Sequence, residues 1–143
     1  MEREVAWKSY TEEEMAKVQA LGESYKAFLS AGKTERECVK ETVRLAKKKG
    51  FKDLTARIAS GKKLKAGEKL YYTYMDKCVM LFITGSQPLE KGMNIIGAHI
   101  DSPRLDVKQN PLYESDGLAY MDTHYYGGIK SFQWLTLPLA IHG

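Results

Sequence analysis

His99 and Asp101 stand two residues apart at the polar end of an apolar run, Met93-Asn94-Ile95-Ile96-Gly97-Ala98-His99-Ile100-Asp101-Ser102-Pro103. On an extended strand, side chains two apart project to the same side, so both groups reach one pocket floor. Neutral imidazole is a common zinc ligand, and a carboxylate on the ring's second nitrogen fixes its tautomer and orientation. A His-x-Asp pair therefore supplies a ligand together with the group that aims it. The plainer alternative is a histidine hydrogen-bonded at a strand end. A nucleophilic Ser102 is disfavoured, because neighbours on a strand point to opposite faces and leave a poor triad. Asp122 and His124 repeat the spacing; they read as a solvated strand edge rather than as partners of His99 and Asp101. Asp106, Glu114 and Asp116 lie in polar surroundings and read as surface carboxylates, while His142 has no motif around it.

The elements that must position the pair fall into two stretches of different character. Thr11-x-x-Glu14 and Thr34-x-x-Glu37 are capping boxes, which satisfy backbone donors at a helix start. Two helices are predicted behind them. Met15, Val18, Gly22, Tyr25 and Leu29 form the apolar stripe of the first; Cys38, Val39, Thr42, Val43 and Ala46 form that of the second. Lys47, Lys48 and Lys49 then complement the helix dipole before the terminating Gly50. Asp53 to Ile58 is predicted to add a short helical turn, with an exposed loop over Gly61 to Gly67.

From Leu70 onward, β-branched and aromatic residues dominate. Leu70 to Met75 and Cys78 to Thr84 are predicted to pair as a hairpin across Asp76-Lys77, although the usual turn glycine is missing. A loop over Gly85 to Gly92 leads to a third strand, Asn94 to His99, apolar on both faces as a central strand in a covered sheet would be. Further strands are expected at Arg104 to Lys108, at Leu118 to Asp122 and around Tyr125 to Leu137, with bends at Asn110-Pro111 and Gly127-Gly128. Helices followed by a mixed sheet make an α/β domain.

Composition sets limits on function. A chain of 143 residues that is 43% hydrophobic suits one compact domain. The net charge of +4, from 22 basic and 18 acidic residues, does not mark a polyanion binder. Lysines 47–49, 62, 63, 65 and 69 raise the question of nucleic acid, but no aromatic residue interleaves with them and Asp53 and Glu68 interrupt the series. They read as a solvated face, so no nucleic-acid partner is expected. The charged start, Met1 to Lys8, has no apolar leader core, and no run approaches the roughly 18 apolar residues of a membrane span. Cys38 and Cys78 lack metal or disulfide spacing and read as reduced thiols. A cytoplasmic protein without membrane contact is the expectation.

The run Gly97-Ala98-His99-Ile100-Asp101-Ser102-Pro103-Arg104-Leu105-Asp106-Val107-Lys108, with Tyr126-Gly127-Gly128-Ile129 following, resembles the N-terminal part of the aspartyl aminopeptidase family. Two glycines after Tyr126, rather than three, bring it closest to a bacterial branch. The resemblance implies the partial catalytic domain of a zinc aminopeptidase, with a phosphorylase/hydrolase-like fold, reaching near the start of the family's dimerisation domain. It implies that His99 binds one of a pair of zinc ions, with Co²⁺ or Mn²⁺ as alternatives. Asp101 is then the catalytic-site residue that orients His99. The implied reaction is removal of the N-terminal residue of peptide substrates by a metal-activated water. The implied assembly is a homo-oligomer, a dodecamer. The family's bridging aspartate, catalytic glutamate and other ligands lie further along a longer chain, so this piece is expected to be inactive alone. The alternative is a truncated, non-catalytic homologue serving as an assembly or binding module.

Overall fold

The computed structural model describes residues 5–142; Met1 to Glu4, on which part of the leader argument rests, lie outside them, as does Gly143. The chain divides into two compact units, Met1–Asn94 and Ile95–Gly143. Helices precede a mixed sheet, as the α/β reading requires.

In the first unit both capping boxes form. The Thr11 hydroxyl accepts from Glu14 N ahead of α1 (Glu12–Ala31), and that of Thr34 accepts from Glu37 N ahead of α2 (Glu35–Lys48). Each glutamate returns the favour by accepting from the threonine backbone, at 2.9 and 3.0 Å. The α2 stripe packs as predicted: Cys38, Val39 and Ala46 are buried, and Thr42 and Val43 half-buried. The α1 stripe is covered less. Met15 and Val18 are half-buried, but Gly22, Tyr25 and Leu29 stay exposed, and Phe28, outside the stripe, is half-buried. Gly50, at φ 85, ends α2 with bonds from Gly50 N to Lys47 O and Phe51 N to Ala46 O, a left-handed C-terminal stop.

A two-residue strand β1 (Lys52–Asp53), which no sequence pattern announces, pairs parallel to β2 (Lys69–Tyr74). β2 pairs antiparallel with β3 (Cys78–Ile83), giving the order β1-β2-β3. Between β1 and β2 in the chain, α3 (Leu54–Ala59) is capped by Asp53. Leu70 and Tyr71 complete the core, on whose other side sit Cys38, Val39 and Ala46. The hairpin turn manages without glycine by placing Met75 and Asp76 at φ 52 and 53, the left-handed region, closed by Lys77 N to Tyr74 O. The lysine-rich loop is held from within. Arg57 forks onto Glu68 at 2.8 and 3.0 Å and also donates to the carbonyls of Lys62 and Lys63.

The second unit contains an antiparallel ribbon of β4 (Arg104–Ser115) and β5 (Leu118–Tyr126). Asp116 and Gly117, at φ 54 and 75, turn the ribbon; the Asp-Gly pair is the signature of this turn, and Asp116, expected as a surface carboxylate, occupies its first left-handed position. The bend expected at Asn110-Pro111 is a bulge inside one longer strand: register passes from Val107↔Thr123 to Leu112↔Met121. Pro111 has no N–H to give the ladder, so the strand swells there.

Two strand expectations fail. Asn94 to His99 forms no strand, and Ile95 and Ile96 are 81% and 98% exposed. A strand apolar on both faces needs partners at both edges and cover above and below, and none of the described strands pairs with it. The stretch Tyr125 to Leu137 leaves the ribbon at Tyr126, bends at Gly127 and makes a single helical turn, α4 (Ser131–Trp134). A left-handed Gly127 breaks the extended path.

Candidate metal centre

His99 and Asp101 meet although no strand carries them. His99 Nδ1 lies 3.0 Å from Asp101 Oδ1, with the imidazole mostly open to solvent and the carboxylate about two-thirds covered. With the carboxylate oxygen as acceptor, this contact is a hydrogen bond in the Nδ1–H tautomer, which leaves the lone pair on Nε2. The free nitrogen of an oriented, neutral imidazole is what zinc takes. The donor chemistry of the pair therefore fits a zinc ion as one ligand and its orienter.

The segment is anchored from its downstream side. Arg104 opens β4 opposite Tyr126, the last residue of β5, and its guanidinium lies 4.2 Å from the Tyr126 ring centroid. Arg104 Nε also donates to Asp106 Oδ1 at 2.7 Å. Beside this pair Gly127, at φ 74, passes so close to Pro103 that a Cβ on it would stand 3.3 Å from the Pro103 Cα. The glycine-rich segment is thus set against the residue that closes His99-Ile100-Asp101-Ser102-Pro103.

Other candidates are occupied locally. Asp122 pairs with Lys108 Nζ at 2.8 Å, and His124 stacks on Tyr125 opposite Asp106 in the ladder. Glu114 accepts from Gly117 N, and Asp116 accepts from the Ser115 hydroxyl. Ser102 makes no hydrogen bond to His99, and no three metal-binding side chains cluster among the described residues. His99 with Asp101 is accordingly a fraction of a metal site. The sequence marks Gly127-Gly128 as a bend and, with Tyr126 and Ile129, as part of the family resemblance, but it does not show the clasp of Arg104, Tyr126 and Gly127. The clasp depends on cross-strand register that no local pattern encodes.

Both cysteines are free thiols, and burial pushes that of Cys38 up from its ordinary value. No helix is long and apolar enough to cross a membrane among the described residues.

Comparison with known proteins agrees with these motifs. Residues 28–143 match the family model described as aminopeptidase I zinc metalloprotease (M18). A probable M18 family aminopeptidase 1 of Clostridium acetobutylicum is 52% identical over 138 residues, covering 96% of this chain and 30% of the relative. One from Borrelia garinii is 46% identical over 143 residues, covering 100% and 30%. The crystal structure of aminopeptidase I from Borrelia burgdorferi aligns with a TM-score of 0.81 at 44% identity, covering 92% of this chain and 32% of that one. The M18 aminopeptidase structure from Thermotoga maritima aligns at 0.80 and 38%, covering 96% and 29%. The chain spans about 30% of the length of the curated relatives it matches. Its sequence and its fold alike make this chain a member of the M18 aminopeptidase family.

Proposed function

We propose that this chain is the N-terminal portion of the catalytic domain of a zinc-dependent aminopeptidase that removes the N-terminal residue of peptides. The single observation that carries the reading is the 3.0 Å contact between His99 Nδ1 and Asp101 Oδ1 inside a family match over residues 28–143. His99 is the ligand to one ion of a zinc pair, through Nε2. Zinc, when bound, supplies Lewis-acid polarisation of the scissile carbonyl and acidifies a water at neutral pH. Asp101 accepts the Nδ1 hydrogen, holds the imidazole in one tautomer and raises its basicity toward the ion. The remaining ligands and the general base come from parts of a longer polypeptide, since no three metal-binding side chains cluster among the described residues and His99 stands with its orienter alone. Co²⁺ or Mn²⁺ are alternative ions for the same donor. Peptide substrates, a homo-oligomeric dodecamer and a cytoplasmic setting without nucleic-acid or membrane partners complete the proposal.

The test has two arms. The 143-residue chain with added Zn²⁺ or Co²⁺ is expected to hydrolyse no aminoacyl anilide. In a full-length polypeptide containing this chain, His99→Ala is expected to remove metal from one site and most of the activity. His99-dependent turnover by the isolated chain would refute the claim that the site is partial; unchanged metal content and rate in the full-length variant would refute the assignment of His99.

A further inference from the structure

We infer that Arg104 is a positioning residue for the His99–Asp101 pair, acting through its clasp with Tyr126 and Asp106. The functional meaning rests on His99 as a zinc ligand, but the positioning itself stands on this unit's own geometry. Upstream of His99, residues 94 to 98 join no ladder among the described residues, and Ile95 and Ile96 stand open. Regular structure nearest to the pair begins downstream, at Arg104, three residues past Asp101.

Two successive contacts hold that downstream side. Pro103 lies under Gly127, and Arg104 lies on Tyr126, so the peptide leaving Asp101 and Ser102 is pinned to the end of β5 at consecutive positions. The Arg104 side chain is only 23% exposed, a setting where a cation over an aromatic face is worth more than at an open surface. Arg104 Nε also donates to Asp106 Oδ1 at 2.7 Å, so the stacked guanidinium is held at a second point, two residues further along β4. A lysine could not reproduce this, since a flat guanidinium stacks on the ring while its Nε serves the carboxylate.

The readout is the tautomer of His99, which needs no metal and no turnover. In ¹⁵N-histidine-labelled chain, above the usual titration range of histidine, two-bond nitrogen–proton correlations measure the ratio of the Nδ1–H to the Nε2–H form. The Nδ1–H form is expected to dominate in the unsubstituted chain, and Asp101→Ala defines the floor. Arg104→Ala is expected to lower the ratio about fivefold, the loss of one ordinary hydrogen bond. Arg104→Lys is expected to recover only part of it. If Arg104→Ala melts the ribbon, as cross-strand contacts between β4 and β5 would show, Tyr126→Leu decides, because leucine keeps the strand but removes the aromatic face. A ratio unchanged in Arg104→Ala with the ribbon intact, unchanged in Tyr126→Leu, or fully restored by lysine overturns the inference. Failure of His99 as a ligand would instead appear as unchanged metal content in a full-length His99→Ala protein, with these tautomer shifts intact.

Discussion

Gly127 and Gly128 look equivalent in sequence and are not equivalent in the fold, which makes their alanine variants a sharp test of how the glycine-rich segment is seated. Gly127 sits at φ 74 with the Pro103 backbone 3.3 Å from where a Cβ would go, whereas a Cβ on Gly128 meets nothing within 4 Å. Holding alanine in the left-handed region costs about 1–2 kcal/mol. Displacing a backbone atom rather than a flexible side-chain end adds of the order of 1 kcal/mol. Gly127→Ala therefore destabilises the junction by at least about 2 kcal/mol, a roughly 30-fold change in the local opening equilibrium. Gly128→Ala, free of both penalties, is expected to stay within about 0.5 kcal/mol. Native-state amide hydrogen exchange at the Arg104 end of the β4–β5 ladder reads the difference directly. Gly127→Asn separates the two contributions, because asparagine tolerates the left-handed angle yet still brings a Cβ toward Pro103. Equal exchange rates in Gly127→Ala and Gly128→Ala would refute the reasoning.

Two further outcomes concern the first unit. Replacing Met75-Asp76 by Asn-Gly supplies the residues that the two left-handed turn positions favour, at φ 52 and 53, and removes a methionine that is 72% exposed. A gain of about 1 kcal/mol, partly offset by the freer unfolded chain, should raise the melting temperature by a few degrees; an equal or lower midpoint counts against it. The Arg57 guanidinium, with Lys65 N, holds the Glu68 carboxyl down from 4.5 to about 2. The folded value lies below the unfolded one, so this stabilisation is complete above about pH 4.5 and is lost as pH falls toward 2. Urea midpoints measured from pH 6 to pH 2 should show that decline, and Glu68→Gln should remove it together with the advantage at pH 6.

How far the sequence could be read depended on the range of the forces involved. Capping boxes at Thr11 and Thr34 act over three residues, and both helices begin where they predict. The α2 stripe and the β2–β3 hairpin are likewise local patterns, and both formed. Asn94 to His99 carries strand character in its own side chains, but a strand exists only with neighbours, and Ile96 is left bare without them. The same distinction runs through the site. His99 and Asp101 are neighbours in sequence, and their hydrogen bond needs no fold to be foreseen. Arg104 over Tyr126 and Gly127 against Pro103 are contacts across a ribbon whose register includes a bulge at Pro111, which periodicity alone does not fix. The Asp116-Gly117 turn, by contrast, is a local signal carried by two adjacent residues.

The central claim is that His99 holds zinc through Nε2 while Asp101 holds its Nδ1. An anomalous-difference map at the zinc edge, from crystals of a full-length polypeptide containing this chain, tests it most directly. The account predicts a zinc peak about 2.0–2.1 Å from His99 Nε2, with the Nδ1 to Asp101 contact retained. A peak bonded to Nδ1, or zinc bound elsewhere with His99 free, would contradict it.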